Sequence, residues 1–312
     1  MLKDTLKRAI YEDIKKCIVA YYDMYDIKYK DKKPEEMLTG FLSYCCCHIS
    51  SKPRQVHIST TLKNKIDNGI LSEKHIALVK KFKTMLELGQ DMNGFSSNNT
   101  KNVREPDFLL YTWHLYHLHL SNKVATTPGK MKRNRSDTQL LCIIDKEDTY
   151  FVDVITHPKK PEEYFDICHL ETIINNGWIE KIGFSELEGI VPGSMEPKIR
   201  DCKDFFTLYS KVRINLGFEY NGHTYFPIKP MSMNRQPFSA TQGLISINKN
   251  INRLANQLKS AGVTCERSYR GSRFCATDNS RLLLVASFVI EDELISYNLL
   301  APGLQCITDS CS

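Results

Sequence analysis

Trp113-His114-Leu115-Tyr116-His117-Leu118-His119-Leu120 opens a run that continues through a basic loop into two apolar stretches, Leu140–Ile144 and Tyr150–Ile155. Read as a strand, the first stretch has a period of two. That sends Trp113, Leu115, His117 and His119 to one face and His114, Tyr116, Leu118 and Leu120 to the other. The two later stretches also read as strands, separated by a short acidic turn, so the middle of the chain is expected to be a small β-meander. Its last strand delivers Thr156-His157-Pro158-Lys159-Lys160.

Outward from this run, the N-terminal side is helical. Leu6, Ile10, Ile14, Cys17, Ile18 and Tyr21 recur at three- and four-residue steps and predict an amphipathic helix over 3–22. Pro34-Glu35-Glu36 opens a second helix, because proline and acids suit a first turn. Gln55–Ser59 alternates as a short strand, and Ser72 starts a helix reaching about Leu88. On the C-terminal side a helix is expected from about Pro161 to Asn175, ended by Asn176-Gly177. Asn221-Gly222 marks a hairpin, Leu244 to Leu258 a helix, and Val263–Tyr269, Arg273–Ala276 and Leu282–Ile290 strands. Arg270-Gly271-Ser272 reads as a hairpin turn.

The expected class is therefore α+β. Residues 1–100 form a helical N-terminal region and 101–182 a small, mainly antiparallel core. The Gly- and Pro-bearing stretch 183–200 is a linker, and 201–312 is a separate C-terminal α+β unit.

With 42% hydrophobic and 25% charged residues, the chain matches ordinary globular composition, which argues against long disorder. A net charge of +6 is compatible with a nucleic-acid partner without demanding one. No apolar run approaches the roughly 20 residues a membrane span needs. The opening residues continue into a helix carrying Glu12 and Asp13, unlike a signal peptide, so a cytoplasmic protein without a membrane partner is expected. Eleven cysteines without framework spacing read as reduced thiols. Cys45-Cys46-Cys47-His48 is crowded for zinc, whose paired cysteines stand two to four residues apart, and reads as packed thiols.

Three readings fit the central histidines. His117 and His119 with His157 can hold zinc; all three can be half-buried and bonded to backbone; or they can do acid–base work on a phosphate. Lys132, Arg133 and Arg135 precede the strands, and Lys159 and Lys160 follow His157. Metal-free RNA cleavage needs a base for the 2′-hydroxyl, an acid for the leaving oxygen and cations for the phosphorane, which are the roles His, Arg and Lys fill. In the C-terminal unit Arg267, Arg270, Arg273 and Arg281 surround Tyr269 and Phe274, a pattern suited either to phosphates and bases or to a solvated edge. Pro106-Asp107 can open a nuclease carboxylate motif, but Asp145-Lys146 and Glu196-Pro197-Lys198 do not supply its acidic-x-lysine partner.

Arg135-Ser136-Asp137-Thr138-Gln139-Leu140-Leu141 entering a strand, a second strand after an acidic turn, and His157-Pro158-Lys159-Lys160 together resemble the small RelE/HigB-type toxin ribonucleases over about residues 108–178. The resemblance implies a compact sheet flanked by helices, ribosome- or mRNA-directed cleavage and no metal. By position, Arg135 would stabilise phosphate charge, and His157, Lys159 and Lys160 would move protons or hold the backbone. This chain departs from the pattern in its added flanking regions, its long 121–134 loop and the lack of a clear catalytic tyrosine near the end of the fold, the nearest candidate being Tyr164, expected on a helix. The succession of His-rich strand, Arg-Ser and later His is also similar to uncharacterised bacterial proteins.

The expectation is a metal-independent, cofactor-free endoribonuclease, a toxin-like or phage-defence effector. Its catalytic residues would be His117, His119, Arg135 and His157. Lys132, Arg133, Lys159, Lys160, Arg267, Arg270 and Arg273 would hold RNA, with a protein inhibitor (antitoxin) as a further partner. The alternative is a non-catalytic module that binds nucleic acid or protein.

Overall fold

The computed structural model describes residues 2–25, 27, 29–96, 107–122, 125–127, 130–132, 136–189, 201–208, 217–228, 237–260, 269–276, 282–290, 293–300 and 305–307. In chain order the α-helices are α1 Leu2–Met24, α2 Pro34–Cys47, α3 Thr60–Asp67, α4 Glu73–Glu87, α5 Phe108–Trp113, α6 Ile167–Asn175, α7 Cys202–Thr207 and α8 Phe238–Ser260. The strands are β1 Gln55–Ile58, β2 Leu115–His119, β3 Ala125–Thr127, β4 Lys130–Lys132, β5 Thr138–Ile144, β6 Asp148–Thr156, β7 Phe184–Glu186, β8 Phe218–Tyr220, β9 His223–Pro227, β10 Tyr269–Ala276, β11 Leu282–Ile290, β12 Glu293–Asn298 and β13 Gln305–Ile307. The fold is α+β. Among the described residues no helix is long and apolar enough to cross a membrane.

Two compact units emerge, and they cut the chain differently from the expected division into 1–100, 101–182 and 201–312. One unit joins residues 1–46 to 239–312; the other is the continuous stretch 47–238. The first is held together by apolar faces from both of its segments. Ile10, Ile14 and Ile18 of α1, Leu38 and Phe41 of α2 and Ile247, Ile251 and Leu254 of α8 are all buried, as are Leu284 and Phe288 of β11. Tyr11 donates to Asn248 Oδ1 at 3.0 Å, and Phe41 lies 4.7 Å from Phe274, ring to ring. Its sheet runs β10-β11-β12-β13, antiparallel throughout. Arg270-Gly271-Ser272 is not a turn: it lies inside β10, where the register slips between Tyr269 and Gly271 and Gly271 takes φ 132°.

The continuous unit is built on a four-stranded sheet, β1-β6-β5-β2. β5 pairs antiparallel with both neighbours, and β1 joins the edge of β6 in parallel, so Gln55–Ile58 belongs to this sheet and not to a separate helical region. One face packs Leu118, Leu140, Cys142 and Phe151 against Leu62 of α3 and Val79, Phe82 and Leu86 of α4. The other packs Leu115, Leu141, Ile143 and Tyr150 against Phe165, Leu170 and Ile173 and against Phe184, Phe205 and Phe218. α3 starts at Ser59, whose hydroxyl caps Leu62 N at 2.9 Å while donating to Val152 O at 2.6 Å.

Three further expectations change. Trp113 is not in a strand: it ends α5, and His114 takes the left-handed conformation (φ 52°) that turns the chain into β2. The helix expected from Pro161 to Asn175 is two pieces, a 3₁₀ turn Pro161–Phe165 and then α6, because Asp166 is extended and caps Cys168 N. The proposed linker begins as a strand, since β7 pairs with β9, which forms the Asn221-Gly222 hairpin with β8. Within the basic loop β3 and β4 pair as a two-stranded ribbon.

Candidate functional site

Asp107 starts the site. Its Oδ1 caps α5 by accepting from Leu110 N at 3.1 Å, and its buried carboxylate also brings Oδ2 to 3.9 Å from His117 Nδ1. From His114 the chain enters β2, where His117 and His119 share the face that carries Leu115. Opposite them on β5 stand Leu141 and Gln139.

His157 reaches the same face through a β-bulge. Tyr150 and Val152 pack into the core on this side, but the register of β6 against β5 shifts between Leu141 and Cys142, leaving Val152 as an extra residue. Beyond it the parity reverses, Ile155 turns to this core, and His157 follows two residues later. The backbone holds it there, with His157 N donating to Asp137 O at 2.7 Å and its ring Nδ1 2.8 Å from Pro158 O.

The 3₁₀ turn then swings Tyr164 over the sheet. Pro161 presets its first residue, and Glu163 Oε2 accepts from Lys159 N at 2.9 Å and Lys160 N at 3.4 Å. The Tyr164 ring lies 5.0 Å from His117 and 6.2 Å from His157, while His119 and His157 stack at 5.6 Å. Tyr164 Oη donates to Gln139 Oε1 at 2.8 Å. The Gln139 amide nitrogen is 3.4 Å from His119 Nε2, and His119 Nδ1 is 3.1 Å from Ser136 O. An amide that accepts at oxygen donates at nitrogen, so His119 Nε2 accepts and Nδ1 carries the proton. The longer approach of Ser136 N to Nδ1, at 3.4 Å, calls for the other tautomer, and we favour the shorter carbonyl contact that agrees with the Gln139 donor.

His117 is 8% exposed and His119 4%, whereas His157 is exposed and Tyr164 half-buried. Burial lowers the His117 pKa; Asp107 opposes that and His157 adds to it, so the ring is neutral near neutral pH. Among the described residues its Nδ1 has no hydrogen-bond partner. Burial, outweighing the Gln139 bond, pushes the Tyr164 phenol up to about 12. Tyr164, Gln139 and His119 thus form a bonded chain, with His117 packed against the Tyr164 ring, behind the accessible imidazole of His157.

Of the residues singled out from sequence, His117, His119 and His157 converge. Lys159 and Lys160 are exposed beside them. Lys132 ends β4, and Arg133, Arg135 and Arg267 lie outside the described residues. Arg270 and Arg273 are exposed on β10, in the other unit. Asp107, Gln139 and Tyr164 had no assigned role in the cluster. Gln139 carried a signal, being a polar residue in line with Leu141 and Ile143 on a strand whose interior is apolar. Among the described residues no group of three or more His, Cys, Asp or Glu is placed to hold a metal ion. The thiol of Cys45, in α2, is pushed up to about 12, mainly by burial, and is unreactive at neutral pH.

Comparison with protein-family models, curated proteins and solved structures gives no match to this chain.

Proposed function

We propose that the face carrying His157 is the active site of a metal-independent endoribonuclease. The observation that supports this best is the stacking of solvent-accessible His157 on buried His119, inside a network whose other members are Gln139 and Tyr164. In this reading His157 exchanges a proton with the 2′-hydroxyl or the leaving oxygen, and Lys159 and Lys160 offset phosphate charge. Arg135, three residues before β5 in the sequence, is assigned the guanidinium for the crowded phosphorane, and Lys132 and Arg133 are assigned to the RNA backbone by their sequence position alone. His117, His119 and Gln139 are positioning residues, too buried to touch RNA, and half-buried Tyr164 positions them through its bond to Gln139. Such an enzyme fits a cytoplasmic growth-arrest or phage-defence effector restrained by a protein inhibitor. Incubating the pure protein with RNA and excess chelator is the test: cleavage leaving 2′,3′-cyclic phosphate ends is expected. Activity that needs added zinc or magnesium overturns the proposal.

The same burial favours a second reading. Since His119 has both ring nitrogens bonded and His117 sits beside Asp107, the histidines also suit a structural role in a module that binds nucleic acid or protein without cleaving it. RNA retention with intact RNA recovered after prolonged incubation identifies that case.

A further inference from the structure

The opposite side of β2 borders a cleft. Tyr116 points away from the histidines and, with Ile144, lines a cavity of about 230 Å3 whose other walls include His48, Lys52, Arg54 and Lys146. Arg54 is only 6% exposed. Its Nε donates to Asp145 O at 3.0 Å, Nη1 to Ser50 O at 2.8 Å and Lys52 O at 3.1 Å, and Nη2 to Ser50 Oγ at 2.8 Å. These bonds use four of the five guanidinium hydrogens and involve no carboxylate. A buried cation is expensive unless an anion balances it, and carbonyl dipoles balance it only in part. Asp145 also borders the cavity, but its Oδ1 accepts from Lys146 N at 2.7 Å and its Oδ2 lies 3.7 Å from Lys181 Nζ. Among the described residues, Lys52, Arg54 and Lys146 outnumber the single Asp145 carboxylate, which attracts Arg54 without bonding it, and one Nη2–H of Arg54 has no partner.

We propose that this cleft binds a phosphate monoester. Two lysines and a buried arginine match a dianion better than a carboxylate, since a monoester carries about −1.5 to −2 near pH 7 and offers three acceptor oxygens. The Tyr116 ring and the Ile49 and Ile144 side chains give the remaining wall an apolar character suited to a flat ring on the phosphate. The volume, below the roughly 300 Å3 at which drug-sized pockets begin, fits a group of that size and not a longer chain. The site is independent of the ribonuclease reading, because it lies on the other face of the sheet and shares no residue with the histidine cluster.

Calorimetric titration of the full chain with inorganic phosphate, uridine 5′-monophosphate and uridine, at fixed ionic strength, tests the proposal. Saturable binding of phosphate alone identifies the free ion as the source of the ligand, and tighter binding of the nucleotide identifies a phosphorylated ring; either supports the site. The Lys52→Gln/Lys146→Gln double variant removes only partly or fully exposed charges, so it should fold like the parent and bind about tenfold or more weakly. Arg54→Met should abolish binding, and because Arg54 also ties three backbone carbonyls its melting temperature is compared first. Absence of saturable binding, uridine binding as well as its monophosphate, or undiminished affinity in a folded double variant would each overturn the assignment.

Discussion

The imidazole of His157 lies 5.6 Å from that of His119 and 28° from parallel, although the strands that supply them are separated by β5. One ring is accessible and the other is locked by Gln139 and Ser136, so the pair divides into a group that can meet a solute and a group that fixes where it stands.

His157→Gln should separate chemistry from folding. The residue is exposed at the end of β6, so its melting temperature should match the parent's while RNA cleavage falls about a hundredfold or more, the scale of a lost acid–base group. A variant that is stable and fully active removes His157 from the mechanism.

Tyr164→Phe keeps the ring but strands Gln139 Oε1 in a residue with no exposed surface. Leaving such an acceptor unpaired costs about 1–3 kcal/mol, to be read from urea unfolding. Because the Gln139 amide also orients His119, the variant should shift the pH dependence of cleavage as well as its rate. A loss of stability with an unchanged pH profile assigns Tyr164 to packing alone.

Stability should rise with pH between about 5 and 7. His117 and His169 are both buried and both hold folded-state pKa values below the ordinary 6.5, desolvation being the main cause. Through and below 6.5 the unfolded chain takes up protons that the folded chain resists, so unfolding is favoured as pH falls toward the folded values, and well above 6.5 both states are unprotonated and bind alike. Denaturant midpoints measured across this range check the slope, and His169→Gln should flatten it. A flat profile in the parent contradicts the burial argument.

Gly89 should not tolerate alanine. It follows α4 at φ 69°, and a Cβ there would stand 2.6 Å from Lys52 C and Pro53 N, which are backbone atoms of the segment leading to Arg54. Overpacking of this kind costs about 1–3 kcal/mol, and the left-handed conformation adds strain. Gly69, at φ 64° with open space around it, bears the strain alone, so Gly69→Ala should lose less in parallel melts.

The periodic helices and the apolar strands were legible because a single face decides each of them. Leu6 to Ile18 and Ile247 to Leu258 repeat at helical steps and are buried as that spacing requires, and Asn221-Gly222 forms its hairpin with both residues at positive φ. α3 was missed because Thr60–Asp67 buries little beyond Leu62 and has almost no apolar pattern to show. Trp113 was placed in a strand because its parity agrees with Leu115 to His119, and only the αL turn at His114 breaks that continuity. The convergence of His117, His119 and His157 followed from placing His157 at the end of a strand near theirs, but β5 lies between the two, and the bulge that aims His157 is one extra residue with no local signature. The partners Asp107 and Tyr164 come from a helix cap and a 3₁₀ turn, whose tertiary placement no residue spacing encodes.

The unit that joins residues 1–46 to 239–312 also sets a schedule for synthesis. Cys17 on α1 meets the carbonyl of Ser272 on β10 at 3.7 Å across 255 residues of chain. At the usual elongation rates α1 is therefore translated on the order of tens of seconds before the sheet that covers it exists. The continuous stretch 47–238 holds all the strands of its own sheet and is under no such delay. A nascent chain whose middle has folded thus still lacks α8 and β10–β13, against which the apolar stripe of Ile10, Ile14 and Ile18 is buried in the finished unit.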